Sequence, residues 1–238
     1  MSAKLPMKRV GDKARTRVFV VGEFPIFSDA LGVVISLEDD LEYIGFATTA
    51  EDAVELATDR APDVAVIDVD LPKTGDGDLG GILATKLIKR VRPELRVLIL
   101  TGDMEIDTMA RAASEGACGF LAKTSNLVDI CQAIRTAKDG GMFVERELVS
   151  SLVQRIKTSV RRPIEGGSAR PAITPRQQEV LTLLGEGLDV TVIARRLGIS
   201  LSTCRGHVKS LLMKLGSHSQ LEAVVEAVHQ GLLPHLSR

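Results

Sequence analysis

The sequence predicts an α/β domain on a doubly wound, five-stranded parallel sheet, followed by a small all-α helix-turn-helix domain. Five short apolar runs alternate with amphipathic helical patterns up to Lys138. No strand pattern follows them, and 238 residues suit two domains of ordinary size. Continuous apolar strands between helices require a parallel sheet covered on both faces, and right-handed crossovers wind it in both directions.

Taken in order, strands are expected at Val18–Val21, Tyr43–Ala47, Val64–Ile67, Val97–Leu100 and Gly119–Leu121. Helical patterns cover Phe27–Leu37, Ala50–Arg60, Leu79–Val91, Asp107–Glu115 and Leu127–Lys138. Glu147–Val160 reads as a further helix, and Arg161 to Pro171 has the Pro, Gly and Ser composition of a linker. Four helices complete the chain: Pro175–Leu184, Val190–Leu197, Ser202–Leu215 and Leu221–His229. Thr174 caps the first of these with Pro175 at its first position. Gly198 stops the second, and Ser200 or Ser202 caps the third. The expected divisions are a basic disordered tail (1–16), the α/β domain (17–144), a helix with linker (145–171) and the helical domain (172–238).

A net charge of −1 hides a strong polarity. Residues 1–17 carry six Lys/Arg against one Asp, residues 18–144 carry 11 basic and 22 acidic side chains, and residues 145–238 carry 13 and 8. An acidic domain that avoids polyanions thus precedes a basic one that seeks them. At 45% hydrophobic and 26% charged, the chain is neither collagen-like, disordered nor a disulfide framework. It has no apolar run of the roughly 18–20 residues that span a bilayer. Its basic start lacks the apolar core of a secretory signal. Three scattered cysteines, Cys118, Cys131 and Cys204, point to a reducing cytoplasm.

In a doubly wound fold, ligands bind beyond the carboxyl ends of the strands. There the sequence places Gly22-Glu23, Asp68 in Val64-Ala-Val-Ile-Asp68-Val-Asp70, Thr101-Gly102 and Lys123. Two carboxylates and a main-chain carbonyl suit Mg²⁺, a hard cation that keeps waters and accepts phosphate oxygens. An Asp carboxylate can take a phosphoryl group as a covalent nucleophile, with Mg²⁺ and Lys123 supplying positive charge. Any one of these residues is explained as a helix cap, but four at successive strand ends are not. A nucleotide-dependent enzyme would need a Gly-rich loop after the first strand, and Gly22-Glu-Phe-Pro-Ile-Phe is not one. The chain is not expected to be an enzyme of that kind.

Over about residues 16–140 these motifs resemble the receiver domain of bacterial response regulators. The resemblance implies Asp68 as phospho-acceptor, Lys123 as the lysine bonding the phosphoryl group, Thr101 as the hydroxyl that follows it and Phe120 as the coupled aromatic switch. It also implies Glu23, Asp68 and the carbonyl of Asp70 as Mg²⁺ ligands. Two features depart from the family. Gly22 stands where the first of two acids is usual, a residue that reaches the metal through water. The loop from Lys73 to Gly81 is longer and richer in Gly, and its acids Asp76 and Asp78 are candidate substitutes, although a solvated loop is the simpler reading.

In the back half, Ile193–Leu197, Gly198-Ile199-Ser200 and Thr203–Leu215 form helix, tight turn and helix, with Ala194, Leu197, Ile199, Cys204, Val208, Leu211, Leu212 and Leu215 as the core. Ser202, Thr203 and the backbone N–H groups at the start of the second helix suit DNA phosphates. Ile173-Thr-Pro-Arg-Gln-Gln-Glu179, Ile193-Ala-Arg-Arg-Leu-Gly-Ile-Ser200 and Thr203-Cys-Arg-Gly-His-Val-Lys209 resemble the LuxR-type DNA-binding domain, over about 172–232. The whole chain therefore resembles a NarL/FixJ-family two-component response regulator. That resemblance turns Arg205, Gly206 and Lys209 toward the major groove of double-stranded DNA and makes Leu221–His229 a homodimer helix. Gly206 departs from it, standing where a side chain usually contacts a base. The expectation is a cytoplasmic transcription factor that a sensor histidine kinase switches through Asp68. The alternative is a receiver–helix-turn-helix factor that ignores phosphorylation and responds to dimerisation or a protein partner.

Overall fold

A computed structural model of the chain describes residues 15–72, 79–159 and 171–233. Most of the basic tail, the loop acids Asp76 and Asp78, and linker residues 161–170 lie outside them. The first part alternates β1 (Thr16–Val21), α1 (Pro25–Ser36), β2 (Leu41–Ala47), α2 (Ala50–Asp59), β3 (Val64–Asp68), α3 (Gly80–Val91), β4 (Arg96–Thr101), α4 (Ile106–Ser114), β5 (Gly119–Ala122) and α5 (Leu127–Lys138). The second comprises α6 (Arg146–Ser159), α7 (Pro175–Gly185), α8 (Val190–Arg196), α9 (Leu201–Leu215) and α10 (Gln220–His229).

Every strand anticipated from the apolar runs forms, extended at one or both ends by residues such as Thr16, Arg96 and Thr101. Those positions pair through the backbone, which hydropathy does not register. α1 starts at Pro25 instead of Phe27, because proline is pre-set for the first helical position. Ser200, not Ser202, caps α9, its Oγ accepting from Thr203 N at 3.0 Å. Gly198 adopts φ +64°, the left-handed turn that separates α8 from α9.

The strands are parallel in the order β2-β1-β3-β4-β5. Alternate residues serve opposite faces. Val18, Val20, Val64 and Val66 pack with Leu31 and Ile35 of α1 and with Ile130 and Ile134 of α5. Phe19, Val21, Ala65 and Ile67 pack with α2, α3 and α4 on the other side. The order of winding reverses between β1 and β3, so the crevice of the fold opens beside Gly22 and Asp68. α3 lies very close to the exit of β3: a Cβ on Gly81 would stand 2.3 Å from the Asp68 carbonyl oxygen, so only glycine fits there.

Leu152, Val153 and Ile156 of α6 join the core of the first part to that of α7–α10. α10 packs against α4 and α6, and none of its residues is exposed. At its first turn Glu222 Oε1 pairs with Lys89 Nζ of α3 at 2.8 Å, each side chain only 12% exposed. Gln220 N donates to Gly140 O nearby at 3.1 Å.

Candidate functional site

Asp68 ends β3 and is 8% exposed. Its Oδ1 accepts from the Asp70 N–H at 2.9 Å, and its Oδ2 pairs with Lys123 Nζ at 2.8 Å. Lys123 follows β5, where its own N–H donates to Thr101 O at 2.8 Å and so fixes the backbone that carries the ammonium. The same Nζ reaches Asp70 Oδ2 at 3.1 Å. Partial burial pulls the Lys123 pKa down, but the hydrogen bonds and charges of Asp68 and Asp70 outweigh it and hold the ammonium above its ordinary value.

Asp68, Asp70 and Lys123 thus stand together. The side-chain role of Asp70 was not legible beforehand, since the resemblance offered only its carbonyl. Thr101 is 3% exposed at the end of β4, and its hydroxyl is engaged with Asp103, donating to the carbonyl at 2.7 Å and accepting from the N–H at 3.2 Å. Phe120 is buried against the α2–α4 face. Its N–H donates to Phe143 O, and the segment around Phe143 covers the outer edge of β5. Glu23 is exposed after β1. It does not join the two aspartates: among the described residues no three acids, histidines or cysteines stand close enough together to hold a metal.

Two further features lie at this edge. Arg155 of α6 donates to both carboxylate oxygens of Asp107 in the first turn of α4, which lowers the Asp107 pKa. Ser28 of α1 is buried, and its Oγ has no hydrogen-bond partner among the described residues. The spacing Ser28, Leu31, Ile35 puts that hydroxyl on the apolar stripe of α1, a signal present in the sequence.

The other candidate surface lies on α9. Cys204, Val208, Leu211 and Leu215 face the core, while Ser202, Thr203, Arg205, Gly206 and Lys209 are all exposed. The hydroxyls of Ser202 and Thr203 each lie 2.8 Å from Ser200 Oγ, so they are tied into the helix start. Gly206 has nothing within 4 Å of where a Cβ would stand. Buried Gln177 of α7 braces this helix, its Nε2 donating to Ser210 Oγ at 2.8 Å and its Oε1 accepting from Lys214 Nζ at 2.8 Å. Burial raises the Cys204 thiol pKa, in keeping with its place in the core.

Comparison with known proteins gives these surfaces their context. Residues 18–135 match the model of the response regulator receiver domain, and residues 171–227 match that of bacterial regulatory proteins of the luxR family. The transcriptional regulatory protein DesR of Bacillus subtilis is 30% identical over 215 residues, covering 90% of this chain and 97% of that protein. The transcriptional regulatory protein LnrK of the same species is 29% identical over 220 residues, covering 91% and 98%. A structure of the RcsB response regulator of Salmonella typhimurium aligns with 88% of this chain and 96% of its own at a TM-score of 0.50 and 25% identity. The chain belongs to the NarL/FixJ family of response regulators, transcription regulators in which a receiver domain precedes a LuxR-type DNA-binding domain.

Proposed function

We propose that a sensor histidine kinase switches this regulator by phosphorylating Asp68, and that the switched form binds double-stranded DNA as a homodimer in the cytoplasm. The observation that carries this reading is the placement of Asp68, nearly buried at the sheet's carboxyl edge with Lys123 Nζ 2.8 Å from its carboxylate. A carboxylate oxygen of Asp68 bonds to phosphorus as the P–N bond of a phosphohistidine breaks, the electron pair leaving with the imidazole. With acetyl phosphate the P–O bond breaks and acetate leaves. Lys123 offsets charge on the transferring group.

The oxygen donors at this edge fit Mg²⁺, which is content with one or two protein carboxylates and otherwise keeps its waters. Asp68 and the Asp70 carbonyl would hold it, and it would neutralise phosphoryl oxygens. Glu23, the further ligand the resemblance implies, stands apart from them here.

The phosphoryl group adds negative charge beside Lys123 and Thr101. α4 follows Thr101 directly, and Arg155 ties its first turn to α6, while α10 packs on α4 and α6. A shift of α4 therefore bears on the dimer helix, whose free faces are covered until it leaves the receiver. Arg205 and Lys209 are exposed with α10 in this position.

A specific observation favours a second reading, in which dimerisation or a protein partner replaces phosphorylation. Gly22 interrupts the acidic pair, and Glu23 stands apart from Asp68 and Asp70. Intact mass after incubation with acetyl phosphate and Mg²⁺ separates the two. The wild type is expected to gain one phosphoryl group, about 80 Da, and Asp68→Asn none. No gain in a folded wild type, from either acetyl phosphate or a phosphorylated kinase, moves the assignment to the second reading.

A further inference from the structure

Gly22 is buried, yet a Cβ added there would meet only one atom within 4 Å, Ser28 Oγ at 3.2 Å. A small hollow therefore lies between the end of β1 and the first turns of α1, bounded by a hydroxyl that lacks a partner among the described residues. The sheet register places this hollow. Val21 pairs with Ile67, so Gly22 comes level with Asp68 on the neighbouring strand. Val20 and Val66 face α1, and two-residue alternation puts Gly22 and Asp68 on that same face, with Ser28 one helical turn before Leu31.

We infer that the hollow at Gly22 holds a water and that Ser28 Oγ positions it beside Asp68, in place of the carboxylate that the receiver pattern puts at this strand end. A buried hydroxyl without a partner costs stability, whereas a bridging water satisfies it at little entropic expense. Mg²⁺ held at Asp68 would keep several of its waters, and Ser28 Oγ would supply an acceptor for one of them. Ser28 is thus a positioning residue that acts through water, as the outer partners of metal sites do. This inference rests on the Mg²⁺-assisted phosphorylation of Asp68 proposed above.

The test is calorimetric titration of the full chain with Mg²⁺, alongside melting of the metal-free protein. Ser28→Ala is expected to weaken Mg²⁺ binding about tenfold. Gly22→Ala, whose Cβ fills the hollow, is expected to do the same. Gly22→Asp added to Ser28→Ala is expected to restore at least wild-type affinity, because it supplies a carboxylate and removes the 3.2 Å encounter with Oγ. Unchanged affinity in Ser28→Ala, with a higher melting temperature, overturns the inference and marks Ser28 as an ordinary orphaned hydroxyl. Failure of the parent reading looks different: a wild type that takes up no Mg²⁺ overturns the metal site itself, and this role for Ser28 with it.

Discussion

The sheet edge around Asp68 and the outer face of α9 are both charged, but they treat charge in opposite ways. At the sheet edge Lys123 pairs with both Asp68 and Asp70 across 2.8 and 3.1 Å, with Asp68 largely out of water. On α9, Arg205 and Lys209 are exposed and have no ion-pair partner among the described residues. A group-transfer site needs converging, partly desolvated charges, so that they act strongly on a small reacting group. A DNA-reading surface needs its cations unpaired, because phosphates and base edges must take up that role. A third charged pair, Lys89–Glu222, is nearly as little exposed as Asp68 yet belongs to neither region.

The largest effect on this contrast is expected from that third pair. Lys89→Ala leaves Glu222 without its cation, and removal of one partner from a buried pair costs about 3 kcal/mol. The two halves should then separate more readily, seen as faster proteolysis of the 161–170 linker and a larger dimer fraction by light scattering. An unchanged cleavage rate would mean that the pair does not hold the halves together.

Arg205→Ala should weaken operator binding by about 1–3 kcal/mol, and Lys209→Ala should lower the salt slope of binding by about one, with the fold intact. If neither variant changes affinity, α9 is not the reading helix.

Gly206→Ala should stabilise the domain by up to about 1 kcal/mol in thermal melts, since the helix interior favours Ala and no atom meets the new Cβ. If DNA affinity falls at the same time, the glycine serves close approach of the backbone.

The smallest effect is one of pH. The Lys123 pKa is raised in the folded state, so its pairing contributes stability that is fully present below the unfolded value near 10.5 and fades as pH rises through the raised one. The stability gap between wild type and Lys123→Met should therefore be flat up to about pH 10 and shrink beyond it. A gap that closes at neutral pH would contradict the ion-pair geometry.

The order of strands and helices along the chain and the exposed polar stripe of α9 were legible because they follow from period-2 and period-3.6 patterning and from glycine, proline and capping residues at fixed offsets. Asp68 and Lys123 were legible for a related reason, since the carboxyl end of a parallel strand is where a ligand site must lie. The caps at Thr174 and Ser200 follow the same local logic.

Other features depend on which side chains meet across long stretches of chain. Asp70 reaches Lys123 across 53 residues, Lys89 reaches Glu222 across 133, and Arg155 reaches Asp107 across 48. The resemblance implies a dimer helix at α10, and here its faces are covered by α4, α6, α7 and α9. The buried hydroxyl of Ser28 beside Gly22 belongs to the same class. By itself the sequence determined the elements, their order and the edge where the chemistry gathers, because those depend on local periodicity and chain connectivity. Only the tertiary structure decided which charges are paired, which helix face is covered and where a hollow remains, because these depend on distances between residues that patterning along the chain does not constrain.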